Sequence, residues 1–94
     1  MTPEGKIKAA IKKRLNFIKA YYFFPVQMGM GSATLDCLGC WRGRFFGIEA
    51  KAPGKKPTAR QLVTMEQIRQ AGGTVYVIDN IEDAEKLFAW NSNV

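Results

Sequence analysis

Asp36, Glu49 and Lys51 are the residues whose types and spacing could do chemistry together. Two runs of strand-forming residues, 34–41 and 44–51, flank Arg42-Gly43, which reads as a two-residue hairpin turn. Such a turn pairs Trp41 with Arg44, and counting back pair by pair puts Asp36 opposite Glu49. Facing residues on neighbouring antiparallel strands share a side, with Cβ atoms roughly 4.5–5.5 Å apart. Lys51, two residues beyond Glu49, shares that side as well. Two facing carboxylates repel each other, and a divalent cation reverses the sign of that interaction. Mg²⁺ prefers carboxylate oxygens and keeps several waters, one of which can act as a nucleophile. A lysine beside the pair can steady charge developing on a phosphate or orient the water. A plainer reading is available: solvated strand acids neutralised by Lys51, since ion-pair networks imitate active sites. One more residue in the turn would put the acids on opposite faces.

Two further polar residues have competing explanations. Glu4 extends the apolar stripe of the first helix and can interact with the helix N-terminus, an effect typically worth ~0.3–1 kcal/mol. It could instead reach a metal from the buried edge, although spacing alone favours the dipole. Gln61 follows Thr58 at capping-box spacing, which explains it structurally. A functional glutamine at a helix start beside the site is equally compatible.

The composition limits what such a site can be. The 94 residues fit one compact domain, 1–94. Fourteen Lys and Arg against eight Asp and Glu give a net charge of +6, which points to a polyanionic partner, nucleic acid before membrane. There is no histidine, so His bases, imidazole ligands and Ser-His triads are excluded, leaving carboxylates, lysine and a hard cation. Cys37 and Cys40 are too few for a disulfide scaffold. Strand alternation puts them on opposite faces, and no third ligand completes a zinc site. No apolar run is long enough to span a membrane, and residues 1–20 lack a signal-peptide core. The expected location is cytoplasmic.

The elements that must position these residues can be read along the chain. Residues 2–20 form a helix capped by Thr2, with Pro3 in its first turn and Ile7, Ala10, Ile11, Leu15 and Ile18 in one stripe. Residues 21–27 read as a strand, with Pro25 hinting at an edge or bulge. Four aromatics in a row suggest burial more than base stacking. Residues 29–32 are a flexible loop without a P-loop ending, and the hairpin follows. Residues 52–57 form a basic loop with Lys55 and Lys56. A helix opens at Thr58 with Leu62, Met65 and Ile68 on one face, and Gly72-Gly73 stops it. Residues 74–79 form a strand, and Asn80 or Asp79 caps a last helix with Ile81, Ala84, Leu87 and Phe88 inward. The order is α-β-β-β-α-β-α: an α/β chain with a small mixed sheet flanked by helices, the last two strands parallel.

Taken in order, Glu4, Gly31 to Asp36, Ile48-Glu49-Ala50-Lys51, Gln61 and the Gly72-Gly73-Thr74-Val75-Tyr76-Val77 ending resemble the VRR-NUC family of the PD-(D/E)xK nuclease superfamily. The match covers nearly the whole chain. A bare Glu-x-Lys is common by chance, and the ordered set is far more specific. The family's Asp often follows Pro or Ala, whereas Leu35 precedes it here. The resemblance implies that Asp36 and Glu49 bind Mg²⁺ or Mn²⁺, with the Ala50 carbonyl as a further ligand. It implies Lys51 as the catalytic lysine, and Glu4 and Gln61 as accessory residues, with Glu4 a candidate ligand. The family's small members, from phages and bacteria, are similar in size and act as dimers on branched DNA. The expectation is therefore a metal-dependent, structure-selective endodeoxyribonuclease working as a homodimer, with four-way junctions favoured. Lys6, Lys12, Lys13, Lys55 and Lys56 would grip the backbone. The rivals are a nuclease for flaps or duplex, a non-catalytic DNA-binding module, and a protein-interaction module using the aromatic strand. The last leaves the charge and the facing carboxylates unexplained.

Overall fold

A computed structural model describes residues 1–26 and 33–89. Its element order is the expected α-β-β-β-α-β-α. Helix α1 (Pro3–Phe17) starts as its sequence dictates: the Thr2 side chain accepts the Gly5 N–H at 3.0 Å and Pro3 lies in the first turn. Ile7, Ile11 and Leu15 are buried along the stripe. The helix stops short of residue 20 because Lys19 turns the chain with φ 61°, and the Ala20 N–H closes onto the Leu15 carbonyl.

Strand β1 (Tyr21–Phe23) is shorter than residues 21–27. Pro25 has no N–H for a ladder, and Gln27 and the loop at 29–32 lie outside the described residues. The aromatic run is not a buried strand: Tyr21 and Phe23 are exposed while Tyr22 and Phe24 are half-buried. An edge strand with one face on the core alternates in this way. Strands β2 (Cys37–Trp41) and β3 (Arg44–Ala50) pair antiparallel in the predicted register, from Trp41↔Arg44 back to Cys37↔Ile48. Arg42 and Gly43 both have positive φ, 51° and 80°, the geometry of a type I′ turn matched to strand twist. Strand β4 (Thr74–Ile78) lies parallel to β3, completing the sheet order β1-β2-β3-β4.

The two sheet faces carry different layers. Phe46, Ile48 and Ala50 pack with Ile7, Ile11 and Leu15 of α1 and with Ala84, Leu87 and Phe88 around the short helix α3 (Ile81–Glu85), which Asn80 caps. The Phe88 ring sits 5.0–5.3 Å from those of Trp41, Phe46 and Tyr76. Ile81, expected inward, is exposed at the first position of α3. Helix α2 (Ala59–Gln70) covers the other face, where a Cβ on Gly47 would lie 2.7 Å from Leu35 and 3.1 Å from Ile68. Its inward stripe is Gln61, Thr64, Met65 and Ile68, spaced i, i+3, i+4, i+7. Leu62, expected to face inward, is half exposed, because the helix is turned to aim Gln61 at β3. Among the described residues no helix is long and apolar enough to cross a membrane.

Candidate active site

The β2–β3 ladder ends at Cys37↔Ile48, and the next pair in register is Asp36 and Glu49. Here side chains replace the ladder. The Asp36 N–H donates to Glu49 Oε1 at 3.1 Å, and the Ala50 N–H donates to Asp36 Oδ2 at 2.9 Å. A strand residue's N–H and C=O project toward the same edge. The Ala50 carbonyl therefore points the same way as its N–H, to the side where β2 has ended.

Glu49 is only 3% exposed although it is an acid. Its Oε2 accepts the Gln61 Nε2 at 2.7 Å and lies 3.6 Å from Lys51 Nζ. Burial, and then the neighbouring Asp36 charge, push its carboxyl up to about 7; Lys51 and the Asp36 N–H pull the other way without cancelling this. The pair therefore resists holding two negative charges, and desolvation is the larger reason.

Gln61 serves both purposes that its sequence position allowed. Its Oε1 accepts the Thr58 N–H at 2.9 Å while its own N–H donates to Thr58 Oγ1 at 3.2 Å, a complete capping box. Because the backbone N–H can only donate, the amide oxygen must face Thr58 and the amide nitrogen must face Glu49. The cap thus fixes which end of the amide meets the acid.

Glu4 is not brought into the pair. Lys8 stands between them, its Nζ 3.5 Å from Glu4 Oε2 and 3.7 Å from Asp36 Oδ1. Among the described residues no three His, Cys, Asp or Glu side chains gather closely enough to hold a metal. The donor atoms that could hold a metal here are those of the two carboxylates and the Ala50 carbonyl. All are oxygens, which suits a hard divalent cation such as Mg²⁺ or Mn²⁺ and not a soft one. Lys8 joins the site although the sequence does not single it out among the lysines of α1. Its i, i+4 spacing from Glu4 was the available signal, but nothing in the sequence linked it to Asp36. A cleft of about 380 Å³ opens beside it, lined by Lys8, Phe24, Pro25 and Asp36.

Among the described residues, none of the lysines expected to grip DNA forms an ion pair with Asp36 or Glu49. Lys6 and Lys13 are exposed on α1, Lys12 Nζ lies 4.9 Å over the Phe24 ring, and Lys55 and Lys56 are exposed in the loop between β3 and α2. Cys37 and Cys40 do fall on opposite faces, one buried and one exposed. Burial pushes the Cys37 thiol up to about 12, so it is a packing residue and not a nucleophile.

A mixed four-stranded sheet with an acid pair at the end of its central hairpin, clamped by a capped helix, defines a nuclease-like α/β fold. Within that class the chain is VRR-NUC-like. A solved structure described as "VRR_NUC domain" matches with a TM-score of 0.79 and 26% sequence identity, covering 95% of this chain and 97% of that one. No family model matches the sequence, and no curated protein matches it.

Proposed function

We propose that the chain is a Mg²⁺- or Mn²⁺-dependent endodeoxyribonuclease, selective for branched DNA and favouring four-way junctions. The observation that carries the reading is the buried Glu49 facing Asp36, with its carboxyl raised to about 7. An acid pair that resists its own charge gains stability from a cation. Asp36, Glu49 and the Ala50 carbonyl would hold the metal. When bound, such an ion supplies Lewis-acid polarisation of a phosphoryl oxygen and makes a water more acidic.

The protein's own groups do the rest. Gln61 and the Asp36 N–H hold one oxygen each of Glu49, so the carboxylate meets substrate in a fixed orientation. Lys51 Nζ, 3.6 Å from Glu49 Oε2, stabilises negative charge as water bonds to phosphorus and the opposite P–O ester bond breaks. The attacking water gives up a proton to solvent, and the departing oxygen takes one up. Lys6, Lys12, Lys13, Lys55 and Lys56 grip neighbouring phosphates, in keeping with the net charge of +6.

Junction cleavage needs two cuts, and a two-fold dimer provides a second site without a second domain. The exposed Tyr21 and Phe23 of the edge strand β1 offer apolar surface and an open ladder for such a contact. Phe88 is buried and takes no part in that surface; Trp90 lies outside the described residues. The test is cleavage of duplex, flap and four-way DNA with Mn²⁺, Mg²⁺ or EDTA, together with sedimentation of the protein alone. The expected result is metal-dependent cutting that favours four-way DNA, by a dimer. A monomer cutting flaps best would leave the nuclease reading and remove the junction reading. Metal-independent binding without cleavage would leave a DNA-binding module.

A further inference from the structure

We infer that Lys8 is a positioning residue that fills in for the metal's charge at Asp36 and passes to a substrate phosphate when the divalent cation arrives. The inference rests on the reading of Asp36 and Glu49 as a cation site. Lys8 is shared between two carboxylates, at 3.5 Å from Glu4 and 3.7 Å from Asp36. Both separations exceed the 2.7–3.2 Å of a close N–H···O bond, so its ammonium is held between the acids and seated on neither. Its side chain is 35% exposed, on four-carbon tether that can swing without moving α1.

A divalent cation on Asp36 would lie within a few ångströms of the Lys8 ammonium. Like charges at that distance repel, so the two compete for the same carboxylate. Once displaced, the ammonium is already at the wall of the cleft that it shares with Phe24, Pro25 and Asp36. That cleft offers a cation for a phosphate and, in Phe24 and Pro25, an apolar surface for the adjoining sugar or base. The Phe24 ring makes an edge-to-face contact with Tyr22, centroids 6.1 Å apart, and carries the Lys12 ammonium 4.9 Å from its centre. The surface therefore matches a nucleic-acid strand passing the acid pair, with its phosphate on Lys8. Metal and strand would then reinforce each other: the metal frees Lys8 for phosphate, and phosphate keeps Lys8 from returning to Asp36.

The test uses the metal-free protein and two variants that remove only the charge, Lys8→Gln and Lys8→Met. Lys19→Gln, beyond the far end of α1, is the control for net charge. Calorimetric titration with Mn²⁺ should show both Lys8 variants binding about tenfold more tightly than wild type, with Lys19→Gln unchanged. Binding of a fluorescent DNA strand is then measured with Ca²⁺ and with EDTA. With Ca²⁺, Lys8→Gln should weaken binding several-fold and lower the log–log salt slope by about 0.7, the loss of one single-strand phosphate contact. In EDTA the same substitution should change little, because Lys8 is then engaged by Asp36. Equal Mn²⁺ affinity in wild type and both variants would overturn the inference while leaving the metal site intact, as would a DNA defect of equal size in EDTA. A wild type that binds no Mn²⁺ would overturn the proposed function and this inference with it.

Discussion

The chemistry of this chain is concentrated in one residue that sits against its own preference. Glu49 is buried, faces a second acid, and still accepts hydrogen bonds on both oxygens. Its carboxyl is raised from 4.5 to about 7, so the folded state holds the proton more tightly than the unfolded chain. That contribution to stability is fully present below about pH 4.5 and is lost as pH rises through about 7. The metal-free protein should therefore lose on the order of 2–3 kcal/mol across that interval relative to Glu49→Gln, as read by melting both proteins from pH 4 to 8. Parallel profiles would mean that Glu49 is not desolvated as described. Gln61 gives a second prediction. Gln61→Glu keeps an acceptor for the Thr58 N–H, and so keeps the capping box, but it replaces the amide donor on Glu49 with a third carboxylate. The variant should melt well below wild type at pH 8 and approach it at pH 5, where Glu49 is protonated and can donate to the new carboxylate. No deficit at pH 8, or an equal deficit at both values, would show that Gln61 does not act on the Glu49 carboxyl.

At the scale of elements, the legible parts of the sequence were those with local causes. The I′ turn at Arg42-Gly43 follows from a strand–Gly–strand pattern, and it alone set the register that brought Asp36 to Glu49. Thr2, Thr58 and Asn80 cap the helices at which they stand. The misreadings have tertiary causes. Leu62, Met65 and Ile68 form an acceptable helical stripe, as do Gln61, Thr64, Met65 and Ile68. The second stripe faces inward because Glu49, far away in sequence, binds Gln61. Lys8 was overlooked for the same reason: its link to Asp36 exists only after α1 docks beside the hairpin. Phe88 does face inward as its spacing predicts, and a positive φ of 62° after α3 carries its ring into the core. Close packing between strands also explains Gly39, where a Cβ would lie 2.2 Å from the Tyr21 carbonyl oxygen and 2.6 Å from the Phe46 ring. Gly39→Ala should cost about 3 kcal/mol or more by displacing β1 from the sheet, measured by denaturant unfolding. A loss under about 0.5 kcal/mol would show that β1 is not packed as described.

The whole molecule joins an acid pair, one member of it buried, to a basic exterior, which together call for a polyanion and a cation. Lys55 and Lys56 extend from the loop that leaves β3 just after Lys51, so a backbone seated on the site would pass them. Lys55→Ala with Lys56→Ala should weaken DNA binding by similar factors for unrelated sequences and lower the log–log salt slope by about 0.9 per lost duplex contact. An unchanged slope would place the DNA on another face. The central claim, that the Asp36–Glu49 pair performs metal-dependent phosphodiester hydrolysis, is tested most directly by the cleavage rate of labelled four-way DNA. Wild type, Glu49→Gln, Asp36→Asn and Lys51→Ala would be compared in Mn²⁺ and in EDTA, with DNA affinity measured alongside. Wild type should cut only with Mn²⁺, and each variant should lose roughly a hundredfold or more in rate while binding DNA nearly as well. Cleavage by wild type in EDTA, or a Glu49→Gln variant as fast as wild type, would contradict the account.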